Sequence, residues 1–193
     1  MRNTFILAIL LAASKLSAAT YSLEPSHTTL GFKATHMVVS SFTGKFEKFA
    51  GSFSFDDATS TLKSVSVTVD LASINTENKT RDDHARGKDF FLVEQFPTAF
   101  FVAKDPVVVA KGKTVSVPGT FTLHGVTKPF VLDVTYNGTS AGAGGKVHAS
   151  YTITGVIMRS EFGLTWNKNL DRGGVMLADD IHLTISGDAP QVK

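Results

Sequence analysis

The chain has 193 residues and no cysteine, which excludes both a disulfide framework and a lipid anchor attached through cysteine. It carries 19 Lys and Arg against 17 Asp and Glu, but Arg2 and Lys15 fall within the first 19 residues, so residues 20–193 hold 17 of each sign (19 less 2, against 17). This balance argues against a nucleic-acid partner, which requires a basic excess.

The first 19 residues have the organisation of a secretory signal peptide. Arg2 gives a positive start, residues 5–13 form a short apolar run, and small residues occupy positions 17–19. The run is too short to cross a hydrocarbon core of ~30 Å as a helix, so we prefer a cleaved signal to an uncleaved anchor. No later run of 18 apolar residues occurs, and we expect no integral membrane span. The sequence predicts a signal peptide over residues 1–19, export, and one domain over residues 20–193.

Alternation of apolar and polar residues with period two dominates the rest of the chain and is typical of half-buried β-strands. Together with two less regular segments, these runs predict about eight strands: residues 28–36, 42–55, 64–71, 99–104, 115–123, 130–136, 147–153 and 181–186. Short turns between them indicate antiparallel pairing. A slip in parity between Phe46 and Phe49 predicts a bulge or bend near residues 47–51. The glycine-rich residues 137–145 predict a turn, and residues 140–145 within it predict a flexible loop.

Residues 75–97 lack this alternation and predict a helical insertion. We expect a first helix, capped at residue 75 or 76 and ending at Gly87, and a second over residues 90–95, capped by Asp89. A closed barrel with this insertion at one mouth removes exposed strand edges, and a two-sheet sandwich remains the alternative. An outer-membrane barrel is disfavoured, because one Trp and three Tyr cannot form its aromatic girdles.

The apolar face of the strands, turned inward, would line a barrel that holds one slender ligand. The chain has 15 Phe, and an ordinary aromatic core is the alternative use for them. We predict that the pocket for an apolar ligand tail is formed by Leu30, Phe32, Phe53, Val67, Phe121, Tyr151 and Ile153.

Two polar residues fall on the inward parity at strand ends, namely His36 and Arg159. A buried cation needs a carboxylate, carbonyl groups or a polar ligand head. One interpretation is a mouth that binds the ligand head group, with Phe90 and Phe91 as a lid, formed by His36, Arg81, Asp82, His84 and Arg159. The other is an internal ion pair that closes the barrel end, for example between Arg159 and Asp82.

Signatures of metal sites and of catalysis are missing from the sequence. There is no HExxH or CxxC spacing, nucleophile elbow or phosphate-binding glycine loop, and His27 and His36, an odd number apart, face opposite sides of a regular strand. We therefore expect no metal, no cofactor and no enzymatic activity. A hydrolase acting on a bound lipid, with His84, Asp82 and Ser160, is the alternative from another class.

Short motifs spread along nearly the whole chain carry a resemblance to a known family. They are SH (26–27), LGF (30–32), TH (35–36), GKF (44–46), FAG (49–51), RDDH (81–84), DFF (89–91), FP (96–97), VPGTFTLHGVTKP (117–129) and MRSEFG (158–163). In this order and spacing the chain resembles the YceI-like proteins of the bacterial periplasm.

The resemblance implies an all-β fold, an extended lipocalin-like antiparallel β-barrel with a long internal pocket. It also implies a periplasmic carrier of a polyisoprenoid such as a prenyl-quinone or polyprenyl chain. A carrier of another long amphiphile, such as a fatty acid or fatty amide, shares every residue argument and stays open. A homodimer is compatible with the sequence.

Overall fold

The computed structural model describes residues 18–142, 145–171 and 173–192, so the predicted signal peptide lies outside them except for Ala18 and Ala19. Within these residues we number twelve strands in chain order: β1 Ala19–Leu23, β2 Thr28–His36, β3 Ser40–Phe46, β4 Phe49–Asp56, β5 Thr61–Asp70, β6 Ile74–Asn75, β7 Thr98–Ala103, β8 Val107–Val108, β9 Thr114–Leu123, β10 Val126–Ala141, β11 Val147–Met158 and β12 Leu177–Pro190. The α-helix of the described chain, α1, is Lys79–Arg86, and 3₁₀ turns cover Leu71–Ser73 and Arg159–Phe162. None of the helices described has the length and apolar character needed to cross a bilayer.

All strands belong to one antiparallel sheet in the order β1-β4-β5-β7-β9-β10-β11-β12-β2-β3-β6, with β8 paired to β5. The sheet curls into a half-barrel. Its first strand returns to β12, where Tyr21 bridges Gln191 and the Val192 amide donates to the Thr20 carbonyl at 2.8 Å. The all-β, lipocalin-like fold class predicted from the sequence is confirmed.

The alternation of residue types in the strands determines which face is buried. In β5, Val65, Val67 and Val69 face the interior while Ser64 and Ser66 are exposed. One core cluster gathers the most deeply buried side chains, including Tyr21, Phe55, Val109, Val117 and Ala149, and a second lies around Leu71, Phe162 and Leu164. The apolar parity that the sequence shows therefore becomes the inner wall of the half-barrel.

The prediction of eight strands is wrong, because three short strands and one break escape the pattern. Strands β1, β6 and β8 have five residues or two, too few for alternation to stand out. The predicted segment 42–55 is two strands, β3 and β4, separated at Glu47 and Lys48, and these strands pair with different neighbours. The slip in parity marks a change of partner within the sheet.

The prediction of a turn that begins at residue 137 is wrong for residues 137–141, while residues 143 and 144 of the predicted flexible loop lie outside the described residues. Strand β10 continues to Ala141, and the irregularity is a shift of register between Tyr136 and Gly138. Gly138 has φ +110°, a conformation open to glycine and strained for other residues. The glycine thus permits a bulge within a long strand.

The helical insertion contains one helix instead of two. Asn78 caps α1 by accepting from the Arg81 amide at 3.0 Å, and the helix ends at Gly87 as predicted. Residues 88–95 form turns, so the predicted second helix is wrong. The Asp89 carboxylate pairs with His84 instead of capping a helix, and Leu92 has φ +46°, which is incompatible with a right-handed helix.

Gly187 of β12 allows β2 to approach closely, which gives a test of the sheet register. A Cβ at Gly187 would lie 2.2 Å from the His27 carbonyl oxygen and 2.7 Å from Thr28 Cα, both backbone atoms. We expect Gly187→Ala to lower the free energy of unfolding by about 1–3 kcal/mol, measured by urea denaturation. The control is Gly155→Ala, because its Cβ would meet side-chain atoms before any backbone atom: the end of Leu132 at 2.8 Å and the Phe130 ring at 3.5 Å. Equal stability of the two variants would contradict this register.

Candidate ligand-binding site

The half-barrel encloses a cavity of about 690 Å³ whose wall is mainly apolar. Side chains such as Phe32 and Phe121 point into it and stay only half-buried, because their own bulk does not fill the space. The structure places on this wall every residue of the predicted tail pocket: Leu30, Phe32, Phe53, Val67, Phe121, Tyr151 and Ile153. A cavity of this size and lining suits an elongated apolar ligand.

One end of the cavity is closed by tightly packed side chains and contains neutral hydroxyl groups. Phe55 and Val117 are at most 2% exposed there. The Tyr151 and Thr28 hydroxyls lie 2.6 Å apart, and burial raises the pKa of Tyr151 to about 12. The Tyr136 hydroxyl donates to Asp57 at 2.9 Å. The phenols at this end therefore stay uncharged at physiological pH.

The polar residues of the cavity wall gather at the other end, which we call the mouth. His36 lies there, and its ring packs edge-on against Phe42 at 6.4 Å between centroids. Arg81 lies 4.2 Å from the centroid of the Phe42 ring. Its Nε donates to Thr76 Oγ1 at 2.7 Å and its Nη2 to the Thr76 carbonyl at 2.8 Å. The Arg81 guanidinium is thus fixed in orientation at the mouth, with Nη1 unengaged among the described residues.

A cluster of three rings, His84, Phe90 and Trp166, forms another part of the mouth. His84 packs edge-on against Trp166 at 4.9 Å and against Phe90 at 5.0 Å. The His84 Nε2 atom lies 2.9 Å from an Asp89 carboxylate oxygen, which fixes the ring. Phe91, the other predicted lid residue, packs against Phe46 further along the wall. We call His84, Phe90 and Trp166 the aromatic cluster.

Arg159 lies on the cavity wall but is held by the protein itself. It is 5% exposed and donates to the carbonyls of Leu164 (2.5 Å), Trp166 (2.9 Å), Ala178 (3.0 Å) and Leu177 (3.2 Å). Burial lowers its pKa, and Asp179 acts in the opposite direction. Its guanidinium therefore fixes the irregular segment 164–167 against the start of β12.

Asp82 is not among the residues that line the cavity. Its carboxylate accepts from the Thr76 amide at 3.0 Å and the Thr76 hydroxyl at 2.5 Å, and the predicted pair with Arg159 is wrong. Asp82 thereby holds Thr76, which in turn holds Arg81. Its contribution to the mouth is indirect, through the position of that guanidinium.

Sequence reasoning missed several residues of the mouth, among them Phe42, Thr76 and Trp166. Phe42 belonged to a segment read as one strand, and Thr76 to a predicted helix. Trp166 lies in the irregular segment after Arg159, where alternation gives no information. Its being the single tryptophan of the chain was the one available signal.

The residues considered for hydrolysis are not brought together. The Ser160 hydroxyl donates to Asp179 at 2.6 Å and does not line the cavity. His84 pairs with Asp89, while Asp82 binds Thr76. Ser160, His84 and Asp82 therefore do not form the hydrogen-bonded chain of nucleophile, base and carboxylate that the hydrolase alternative requires.

Within the residues described, one group of three side chains has donor atoms close enough to hold a metal ion. It consists of His27, His148 and Asp188, whose ligand atoms lie within 4.8 Å of one another. His148 Nδ1 lies 2.5 Å and His27 Nδ1 3.5 Å from the same Asp188 oxygen. None of the three lines the cavity, and a hydrogen-bonded cluster accounts for them.

The role of Arg159 in fixing the mouth can be tested by removing its donors. Arg159→Met would remove this donor from four carbonyls, of which that of Leu177 would still accept from Asn167 Nδ2 at 2.7 Å. We expect the free energy of unfolding to fall by at least about 3 kcal/mol in urea denaturation. Arg159→Lys keeps the charge but loses the planar, forked set of donors. Its free energy of unfolding should therefore lie between those of the unaltered protein and Arg159→Met. Unchanged stability in Arg159→Met would show that these hydrogen bonds do not hold the segment.

Comparison with known proteins places this geometry in a family. The family model described as YceI-like domain matches residues 21–189. A UPF0312 protein of Photorhabdus laumondii is 34% identical over 182 residues, covering 93% of this chain and 92% of the relative. A UPF0312 protein of Pseudomonas savastanoi is 37% identical over 158 residues, covering 80% and 81%.

Solved structures agree with this assignment. The Campylobacter jejuni YceI protein has 32% identity and a TM-score of 0.68, covering 82% of this chain and 90% of its own. Burkholderia cenocepacia BcnA, at 24% identity, shares the fold with a TM-score of 0.73 over 86% and 99%. A polyisoprenoid-binding domain from Saccharophagus degradans, at 16% identity, shares it with a TM-score of 0.62 over 91% and 99%. The chain belongs to the YceI-like family.

Proposed function

We propose that this lipid-binding protein is a periplasmic carrier that holds the tail of a long isoprenoid lipid in its cavity, with the head group at the mouth. The observation that carries the proposal is an apolar cavity of about 690 Å³ whose polar residues gather at one end. The structural neighbour from Saccharophagus degradans is described as a polyisoprenoid-binding domain, and we infer the same class of ligand for this chain. The periplasmic setting rests on the predicted signal peptide.

The tail would be bound by burial of apolar surface. Each five-carbon isoprene unit gains about 4 kcal/mol gross at ~0.8 kcal/mol per carbon group. Several units exceed an association cost of ~4–15 kcal/mol, so affinity is expected to depend mainly on tail length. The wall residues Phe32, Phe53 and Phe121 offer broad faces that accommodate methyl branches.

The head group would lie against the aromatic cluster and Arg81. A quinone ring can stack on Trp166 or Phe90, and its carbonyl oxygen can accept from the unengaged Nη1 of Arg81. The neutral hydroxyls of Tyr151 and Thr28 at the closed end bond to each other, which suits an uncharged tail end there. This division gives the ligand one orientation.

A fatty acid is the second candidate, and Arg81 is the specific reason. A carboxylate at the mouth would form a charge-assisted hydrogen bond with that guanidinium. A quinone would lose less affinity than a fatty acid when the arginine charge is removed. The proposal of a binding protein without catalysis rests on the engagement of His84 by Asp89 and of Ser160 by Asp179.

Occupation of the cavity by a tail can be tested by filling it from the wall. We expect Ile153→Trp to weaken binding of a long prenyl-quinone at least about tenfold, because the indole occupies space that the tail needs. Val156→Trp is the matched control, since Val156 lies on the same strand, faces outward and is 46% exposed. Binding would be measured by fluorescence titration, and far-UV circular dichroism would establish folding. Equal affinity of the two folded variants would contradict a tail in the cavity.

The head-group position can be tested at Arg81. We expect Arg81→Met to lower affinity for a prenyl-quinone about five- to tenfold, the loss of one hydrogen bond to a charged donor. Affinity for squalene, an isoprenoid hydrocarbon without a head group, should stay the same. Lys79→Met is the control, because Lys79 lies on the same helix, pairs with Asp83 and does not line the cavity. Equal losses for both ligands would place the head group elsewhere.

A further inference from the structure

The hairpin that joins β2 to β3 ends in three consecutive apolar side chains that face solvent. The exposed fraction is 45% for Met37, 61% for Val38 and 90% for Val39. The turns beside Tyr136 at the closed end are polar instead, with Asp56 and Asp57 in one and lysines on either side of Gly112 in the other. Exposed apolar residues in succession are unusual on a surface that meets only water.

A second loop lies against this hairpin and extends the apolar surface. The Met37 amide donates to the Met176 carbonyl at 2.8 Å, and the backbone of Gly174 lies against the Val38 side chain. Val175 is 39% exposed in this loop. We call the four side chains of Met37, Val38, Val39 and Val175 the apolar tip.

The backbone of the hairpin has positive φ angles at Met37 and Val38, for which these residue types are poorly suited. Met37 has φ +52° and Val38 φ +67°, both in the left-handed region. Asn and Gly are the residues that most readily adopt a positive φ, and a β-branched residue such as Val38 is strained there. Asn-Gly would suit both the backbone and water, so neither stability nor solubility accounts for Met-Val.

The apolar tip is continuous with the mouth of the cavity. His36, directly before the tip, lines the mouth, and it pairs in the sheet with Leu177, which also lines the cavity. Met176 lines the cavity next to Val175. A surface that covered the tip would therefore also meet the opening through which a lipid enters.

We propose that the apolar tip inserts into the surface of a lipid bilayer and thereby sets the mouth against it. This docking rests on the proposed function, because it gives a lipid tail a path between bilayer and cavity that avoids water. Burial of the four side chains supplies the attraction. Residues 20–193 carry equal numbers of basic and acidic side chains, so docking should depend little on anionic lipid or on salt.

Insertion can be observed directly, because the chain has no cysteine and a single one can be labelled. Val39→Cys would carry the environment-sensitive dye NBD, and vesicles of phosphatidylcholine and phosphatidylethanolamine without isoprenoid would be added. We expect a blue shift and at least about a twofold rise in emission as the dye leaves water. Val108→Cys is the control, at 62% exposure on β8. No response at position 39, or an equal response at both positions, would overturn the proposal.

A second variant removes the tip without endangering the fold. Met37→Asn with Val38→Gly supplies residues that tolerate the positive φ at both positions, so thermal stability should be kept or increased. We expect vesicle co-sedimentation to fall about tenfold, since two of the four apolar side chains are lost. The exposed control Val108→Asn should co-sediment like the unaltered protein. Unchanged co-sedimentation of the folded double variant would overturn insertion.

The same variant separates docking from the proposed function. Binding of a short-tailed prenyl-quinone from solution should be unchanged in the double variant, while transfer of a long-tailed one from vesicles should slow about tenfold. If the unaltered protein does not bind the quinone, the carrier function is refuted. Docking is then tested independently by the emission of the dye at position 39. A response at Val39→Cys only with vesicles that contain membrane proteins would overturn the bilayer in favour of a protein partner.

Discussion

The apolar space inside the half-barrel is the constraint on which the other features of the molecule depend. Protein interiors are ordinarily packed to the density of organic crystals, and unfilled apolar volume forfeits dispersion contacts. Here the wall carries large rings such as Phe32, Phe53 and Phe121, yet about 690 Å³ remains. A ligand that fills this space restores those contacts and stabilises the folded chain, by an amount that grows with the logarithm of the free ligand concentration above Kd.

The two ends of the cavity follow from that constraint. The closed end keeps its polar atoms neutral and paired, since Thr28 and Tyr151 bond to each other and burial holds the phenol protonated. The charged side chains of the cavity wall lie at the mouth, where hydrogen bonds to protein groups fix their positions. Asp82 holds Thr76, Thr76 holds Arg81, and Arg159 fixes the segment that carries Trp166. Each buried charge is thus satisfied by protein groups, which leaves Arg81 free to meet a ligand.

The wall was predictable from the sequence and the mouth was not, for a physical reason. Side chains alternate along a strand with period two, so parity alone puts Phe32, Val67 and Ile153 on the inner face. At the mouth the chain leaves the strands, and parity no longer assigns direction. Arg159 was predicted to point inward, and it does line the cavity, but two of its four carbonyl partners, Leu164 and Trp166, come from a segment without periodicity. Trp166 lies in that segment. Leu92 has a left-handed conformation, which excludes the second helix that residue propensities favoured.

The most direct test of the account is native mass spectrometry of the protein isolated from its own cells without added lipid. Because one cavity holds one lipid, we expect a bound species in about one-to-one ratio with the protein. Lipid extraction would identify this species as an isoprenoid with a polar head group. We also expect the fraction of protein that carries lipid to fall in Ile153→Trp and to stay the same in Val156→Trp. A folded protein that carries no lipid and takes up no long-tailed prenyl-quinone would contradict it.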